Sequence, residues 1–430
     1  MADKIHTLLK RLKEGVSDMC YIWLKEMKST VQDEGLLIFF ILVPLLYPLL
    51  YSWAYNNETT RDVPVAIVDL SHSQLSRKFA RQIDASPNTR VAYHCSSLEE
   101  ARHLVGKQKV RGVILLPTDF DINVNRTQQS HVAVYCDMSF LMAYKAIYMT
   151  AVAVAGNINK DIQVQVAGNY TQREDEVTTQ PLAFEEVPIF NPTGGYGNFL
   201  IPGVLMLIIQ QTLVLGIGLS AGTARENNRY SDLIPVSRHY NGIFRIMLGK
   251  SLCYIMIYAI VAAYLSLVVP RLFHFTAIAS PSALLGLMVP FLLASIFFGM
   301  SISCMVRYRE NIILLIVFMS IPLLFMTGIS WPESSMPGAW RSVAMLFPST
   351  FGARGFVRLS TMGATLEDIR PEYTALWIQS LIYFFLSCAV YSYQLHQARA
   401  HALVDIKKMQ SSIEKVRKSR SITSSSPQSS

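Results

Sequence analysis

The chain has 430 residues, 51% of them hydrophobic and only 16% charged, with a positive mean hydropathy. Soluble globular chains carry about a quarter charged residues, so the composition excludes an ordinary soluble domain and points to a membrane protein. The net charge of +8 admits nucleic acid or anionic lipid as partner, and the placement of the charges decides between them.

Residues 1–35 form an amphipathic segment. Ile5, Leu8, Leu12, Val16, Met19, Trp23, Met27 and Val31 recur every three or four positions, with Lys4, Lys10, Lys13, Lys25 and Lys28 largely beside them. This predicts a cytoplasmic helix lying in the membrane interface, the alternative being a soluble helix packed on a partner. Residues 36–55 follow as a first apolar, uncharged stretch of the ~20 residues that cross a bilayer.

Residues 56–198 are long enough for a domain. Strands are predicted at Val63–Asp69, Arg90–Cys95, Arg111–Pro117 and His131–Asp137, alternating with helical patterns, the last running from Phe140 to Ile162. Ser97 and Glu100 have capping-box spacing. The expectation is an inserted extracytoplasmic α/β domain. Asp69, Asp119, Asp121 and Asp137 sit where acids cap turns and helices, and the histidines lack ligand spacing, so no metal site is expected. Cys95 and Cys136 could pair, a question sequence leaves open.

Five more spans are predicted within 199–394, at Phe199–Ala221, Ser251–Pro270, Ala283–Val306, Ile312–Trp331 and Thr374–Gln394. The fold class is thus an α-helical polytopic membrane protein with six transmembrane helices and an inserted domain. With both termini cytoplasmic, twenty Lys and Arg flank the spans inside and five outside, thirteen lying in the large loop. That bias supports the orientation and explains the basic charge without nucleic acid. Residues 395–430 read as a basic, Ser-rich cytoplasmic tail attracted to anionic lipid.

"LGKS" at 248–251 lacks the glycine that a phosphate-binding loop needs, since Phe244 stands there; Lys250 is expected to snorkel at the foot of a span. Gly218 and Gly222 are spaced for close helix packing. No span carries a charge near its centre, which argues against an ion-coupled carrier. The outer stretch 332–372, broken by Pro332, Pro337 and Pro348 and bearing Trp340, Arg354 and Arg358, predicts a re-entrant or interfacial hairpin. Arg354 and Arg358, one turn apart, could meet lipid headgroups or an anionic substrate.

The order of these parts, with "VAIVDLSHSQLSRKF", "GVILLPTDFD", "FNPTGGYGNFLIPGVLMLIIQ" and "TGISWPESSMPGAW…LFPSTFGARGFVRL", resembles the permease subunit of type-2 ATP-binding-cassette exporters. The resemblance is to the drug-exporter-like branch, which has a large periplasmic domain between the first two spans. It implies a coupling segment at 222–250 that docks on a cytosolic ATPase. Arg225 and Glu226 match the family's Arg-Glu pair, Leu233 and Pro235 its later Leu and Pro, and Arg229, Tyr230 and Asp232 fall between them in a shorter, variant stretch. It further implies an inner-membrane location, export powered by the partner's ATP and magnesium, no cofactor in this chain, and a second permease copy or paralogue. A periplasmic adaptor and an outer-membrane channel are further implied partners. Set against this stand a non-transporting receptor or envelope scaffold and an intramembrane enzyme; the enzyme would need paired acids or a nucleophile–base arrangement, and none is apparent.

Overall fold

A computed structural model describes residues 2–56, 60–168, 170–182, 187–191, 195–226, 242–303 and 308–394. The chain divides into two compact units, one made of Met1–Asn56 with Phe190–Ser430 and the other of Asn57–Ile189. The helices and strands of each follow from local signals already visible in the chain.

In the first unit, α1 spans Ala2–Gln32. The side chain of Asp33 then accepts the Leu36 amide at 3.2 Å and so starts the apolar helix α2, Glu34–Ala54. Within α2 the backbone widens to a π-turn at Ile38–Leu42, just before Val43 and Pro44. A second π-turn, Tyr264–Val268, stands just before Val269 and Pro270. Proline lacks an amide hydrogen and crowds the carbonyl four residues back, and a wider turn relieves that crowding. The two irregular helices meet there, with the Tyr264 hydroxyl donating to the Leu45 carbonyl at 3.1 Å.

The second unit begins with β1 (Val63–Asp69), followed by α3 (Gln74–Asp84), β2 (Thr89–Cys95), α4 (Leu98–Gly106), β3 (Gly112–Leu116), α5 (Phe120–Asn125), β4 (Ala133–Cys136), α6 (Leu141–Ala167) and α7 (Gln172–Thr179). The sheet order is β2-β1-β3-β4, with β1 parallel to both β2 and β3 and β4 antiparallel to β3. Ser97 caps α4 through the Glu100 amide, but the Glu100 carboxylate reaches back to Ser96 rather than to Ser97. The thiols of Cys95 and Cys136 are free. They lie on opposite edge strands, three strand spacings or about 14 Å apart, and a disulfide needs Cα atoms within about 7 Å. Burial also raises the pKa of both thiols. One face of α6, with Ile147, Ala151, Val154 and Ile158, packs on β1, β3, Phe79 and Ile83.

The first unit resumes with α8 (Tyr196–Glu226), then α9 (Ile243–Leu272), α10 (Pro281–Ser303), α11 (Arg309–Met326), the short α12 (Gly338–Ala344), α13 (Pro348–Met362) and α14 (Arg370–Gln394). Seven helices among the described residues are long and apolar enough to cross a membrane: α2, α6, α8, α9, α10, α11 and α14. Six correspond to the stretches expected from sequence. The seventh, α6, is the least apolar of the set and carries the buried face just described. Helix α8 is the axis of its unit, with 94% of its apolar stretch buried against 17% for α11. Lacking side chains at Gly216 and Gly218, it admits the ring of Phe40 and the side chain of Ile312 at close range.

Candidate functional site: charged anchors around the coupling loop and a buried hairpin

The loop expected to couple to an ATPase leaves α8 and returns through α9. Arg229, Tyr230, Asp232, Leu233 and Pro235 lie outside the described residues; Arg225 and Glu226 belong to the last turn of α8. What the structure describes is how the two helices are held where the loop leaves and rejoins them.

On the α9 side, the partner is α1. Its buried line is Asp18, Ile22, Glu26 and Thr30, one residue every four. Val16 and Val31, expected in the apolar stripe, lie outside this line and are exposed. The Asp18 carboxylate takes an ion pair from Arg245 at 2.8 Å. Glu26 accepts from Lys250 at 2.9 Å and from the Tyr254 hydroxyl at 2.6 Å. Lys250 is only 5% exposed, so it does not snorkel as its place at a span's foot suggested; α1 covers it and supplies the counter-charge. Gly249 makes this possible, because a Cβ there would fall 2.9 Å from that of Ile22.

On the α8 side, the anchor is Arg309, the first residue of α11. It reaches Asp33, the residue that caps α2, at 3.6 Å. Gly222 rests against the Arg309 backbone, where a Cβ would lie 2.9 Å from its Cα, and Gly218 faces Ile312 one turn on. Gly218 and Gly222 therefore both bear on α11. Three carboxylates of the N-terminal 33 residues thus meet three cations of α9 and α11 beside the two ends of one loop.

A second region of this unit is the hairpin of α12 and α13. Its turn is non-helical, yet it is enclosed by helix midpoints. The Gln210 side chain, half-way along α8 and 1% exposed, accepts the Ser349 amide at the start of α13. Gln379 of α14 donates to the Met345 carbonyl at 2.7 Å, and the Tyr383 hydroxyl donates to that of Leu346. Thr350 returns to the Ala344 carbonyl at 2.7 Å. Buried polar groups of non-helical backbone need hydrogen-bond partners, and these four side chains supply them. Sequence reasoning passed over Gln210, Gln379 and Tyr383; the available signal was an amide inside an otherwise apolar helix.

The hairpin arginines are engaged by the same chain. Arg354 pairs with Glu333 at 2.6 Å and donates to the Thr327 carbonyl at 3.0 Å. Arg358 donates to both oxygens of Glu372, at 2.9 and 3.1 Å, and to the Asp368 carbonyl at 2.8 Å. Trp340 stays 56% exposed on α12. No group of acids, histidines and cysteines among the described residues is arranged to hold a metal.

The family model for ABC-2 family transporter proteins matches residues 35–389. The chain belongs to that family. It is the permease component of an ATP-binding-cassette transporter, a multi-pass membrane protein that works with a separate ATP-binding-cassette subunit. No individual curated protein matches the chain. In this ABC-2 permease, charged contacts thus tie α1 to α9 and α2 to α11 beside the two ends of one loop. The matched region starts after α1, so the acidic line that binds α9 lies outside it.

Proposed function

We propose that this permease is the membrane half of an exporter of amphiphilic cargo such as a drug or lipid, working as a homodimer or with a paralogous permease in the inner membrane. In this reading six helices span the bilayer, both termini are cytoplasmic, and the Asn57–Ile189 unit stands outside, where it shapes the exit or meets an adaptor and outer-membrane channel. Residues 222–250 dock on the cytosolic ATPase through Arg225, Glu226, Arg229, Tyr230, Asp232, Leu233 and Pro235. The ATPase binds the ATP and magnesium, and its closure moves α8 and α9 as rigid bodies.

The single observation that carries this reading is the pair of anchors beside the loop. Asp18 and Glu26 hold α9, while the Asp33–Arg309 pair ties α2 to α11, which packs on α8 at Gly218 and Gly222. Displacing α9 therefore displaces α1 with it, because the buried Glu26–Lys250 pair is costly to separate, and α11 follows α8 through the close contacts at Gly218 and Gly222. Drawing cargo outward needs such concerted movement, and this chain has no charged mid-span residue to drive it by ion coupling.

The test is co-purification of the chain in nanodiscs with its ATPase, followed by ATPase assays of Arg225→Ala, Glu226→Ala and Leu233→Ala. Each should lower permease-stimulated hydrolysis by about tenfold, the equivalent of about 1.4 kcal/mol at the interface. Unchanged stimulation in all three, or labelling of 222–250 by an impermeant reagent from outside intact cells, overturns the reading.

A further inference from the structure

The second unit holds a cavity of about 800 Å³ between α3, α5, α6 and the end of α7. Its floor is apolar: Phe79 and Phe120 meet edge to face at 6.4 Å, beside Ile158 and Ile162. Its rim is amide and hydroxyl, with Gln128, Asn159 and Gln163 exposed around the mouth. Ser130 also lines the cavity, with its hydroxyl oxygen buried. Among the described residues, no Asp, Glu, Lys, Arg or His lines the cavity, although such residues are common elsewhere in the unit.

These features select a ligand class. The size falls in the range of small-molecule sites, which pair apolar walls with a few placed polar groups. The exposed amides of Asn159 and Gln163 each offer a donor and an acceptor to a neutral polar head. An ionised ligand would lose its hydration with no counter-charge to replace it. We infer that this cavity is a binding site for an uncharged amphiphile, with an aromatic or alkyl body on Phe79 and Phe120 and a hydroxyl- or amide-bearing head at Asn159 and Gln163. This deepens the exporter reading by naming a cargo class, and it rests on that reading only for the claim that the bound molecule is cargo.

The full-length chain in lipid nanodiscs would be photolabelled with an octyl glucoside bearing an alkyl diazirine, and the adducts mapped by mass spectrometry. Adducts are expected in residues 120–132 and 155–167, competed by unmodified octyl glucoside and weaker with an alkyl carboxylate diazirine. Asn159→Asp, which keeps the volume and adds a charge, should cut them by about fivefold, the equivalent of about one hydrogen bond. Ala155→Trp, which fills the cavity, should abolish them. Labelling spread evenly over the unit, labelling unchanged in Asn159→Asp, or stronger labelling by the carboxylate probe overturns the assignment. The readout needs neither ATP nor the ATPase, so its failure leaves the coupling proposal standing, and failure of the coupling assays leaves this one standing.

Discussion

Beside the loop between α8 and α9 one carboxylate, Glu26, meets Lys250 almost out of water, whereas the Asp33–Arg309 pair there and the arginine pairs of the hairpin are half-open contacts. Glu26 and Lys250 have side chains 10% and 6% exposed; Glu333 and Arg354 are 38% and 20% exposed, and Arg358 is 38%. The chemistry is the same and its energetic meaning is not. In water-accessible pairs, screening and side-chain entropy cancel most of the attraction. In a dry pair, neither partner can be lost without stranding the other. Beside the loop, the Glu26–Lys250 pair is therefore the contact whose loss is costly. The hairpin is instead held by backbone hydrogen bonds from Gln210, Gln379 and Tyr383.

Removing one partner of the dry pair is the strongest way to test this contrast. Glu26→Ala should cost about 3–5 kcal/mol by leaving the Lys250 ammonium stranded, measured as unfolding of the chain in mixed micelles under increasing SDS. Replacing both, as Glu26→Leu with Lys250→Met, should recover most of that loss and can exceed the original stability by about 1–4 kcal/mol. A double variant as unstable as Glu26→Ala would mean that the pair itself holds α1, and not merely the absence of an unpaired charge.

Crowding gives the next effect. Gly222→Val would push a side chain into the Arg309 backbone and should cost about 1–3 kcal/mol, with a parallel loss of ATPase stimulation if α8 and α11 move together. In the hairpin, Glu333→Gln should change stability by no more than about 1 kcal/mol in the same SDS titration. A loss as large as that of Glu26→Ala would erase the distinction between the two regions.

The smallest effect concerns pH. Asp368 accepts from the Thr365 amide and hydroxyl, which hold its carboxyl below the usual range. A lowered folded-state pKa stabilises above the unfolded value and loses that contribution as pH falls through the folded one. The difference in melting temperature between the parent and Asp368→Asn should thus be present at neutral pH and vanish in acid. A difference that grows in acid would contradict the assigned hydrogen bonds.

Much of the architecture was legible because periodicity and composition are local. The six apolar stretches, the four strands and the proline-broken hairpin each announce themselves within a window of residues. The buried line of α1 did not, because it contains two carboxylates, and a search for apolar repeats discards them. Lys250 read as a snorkelling lysine for the same reason: its partner lies 224 positions earlier in the chain, so the pairing leaves no local trace. The loop residues named from resemblance, Arg229 to Pro235, fall outside what the structure describes.

By itself the sequence determined that this chain crosses a membrane, carries an α/β insertion and has no phosphate-binding loop, because span length, strand alternation and glycine spacing are short-range properties. Only the tertiary structure decided which acid meets which base, that Cys95 and Cys136 lie on opposite sheet edges, that mid-helix amides close the hairpin, and that a neutral cavity opens beneath α6. Those depend on contacts between distant segments, and a contact's strength is set by the burial that the whole fold creates.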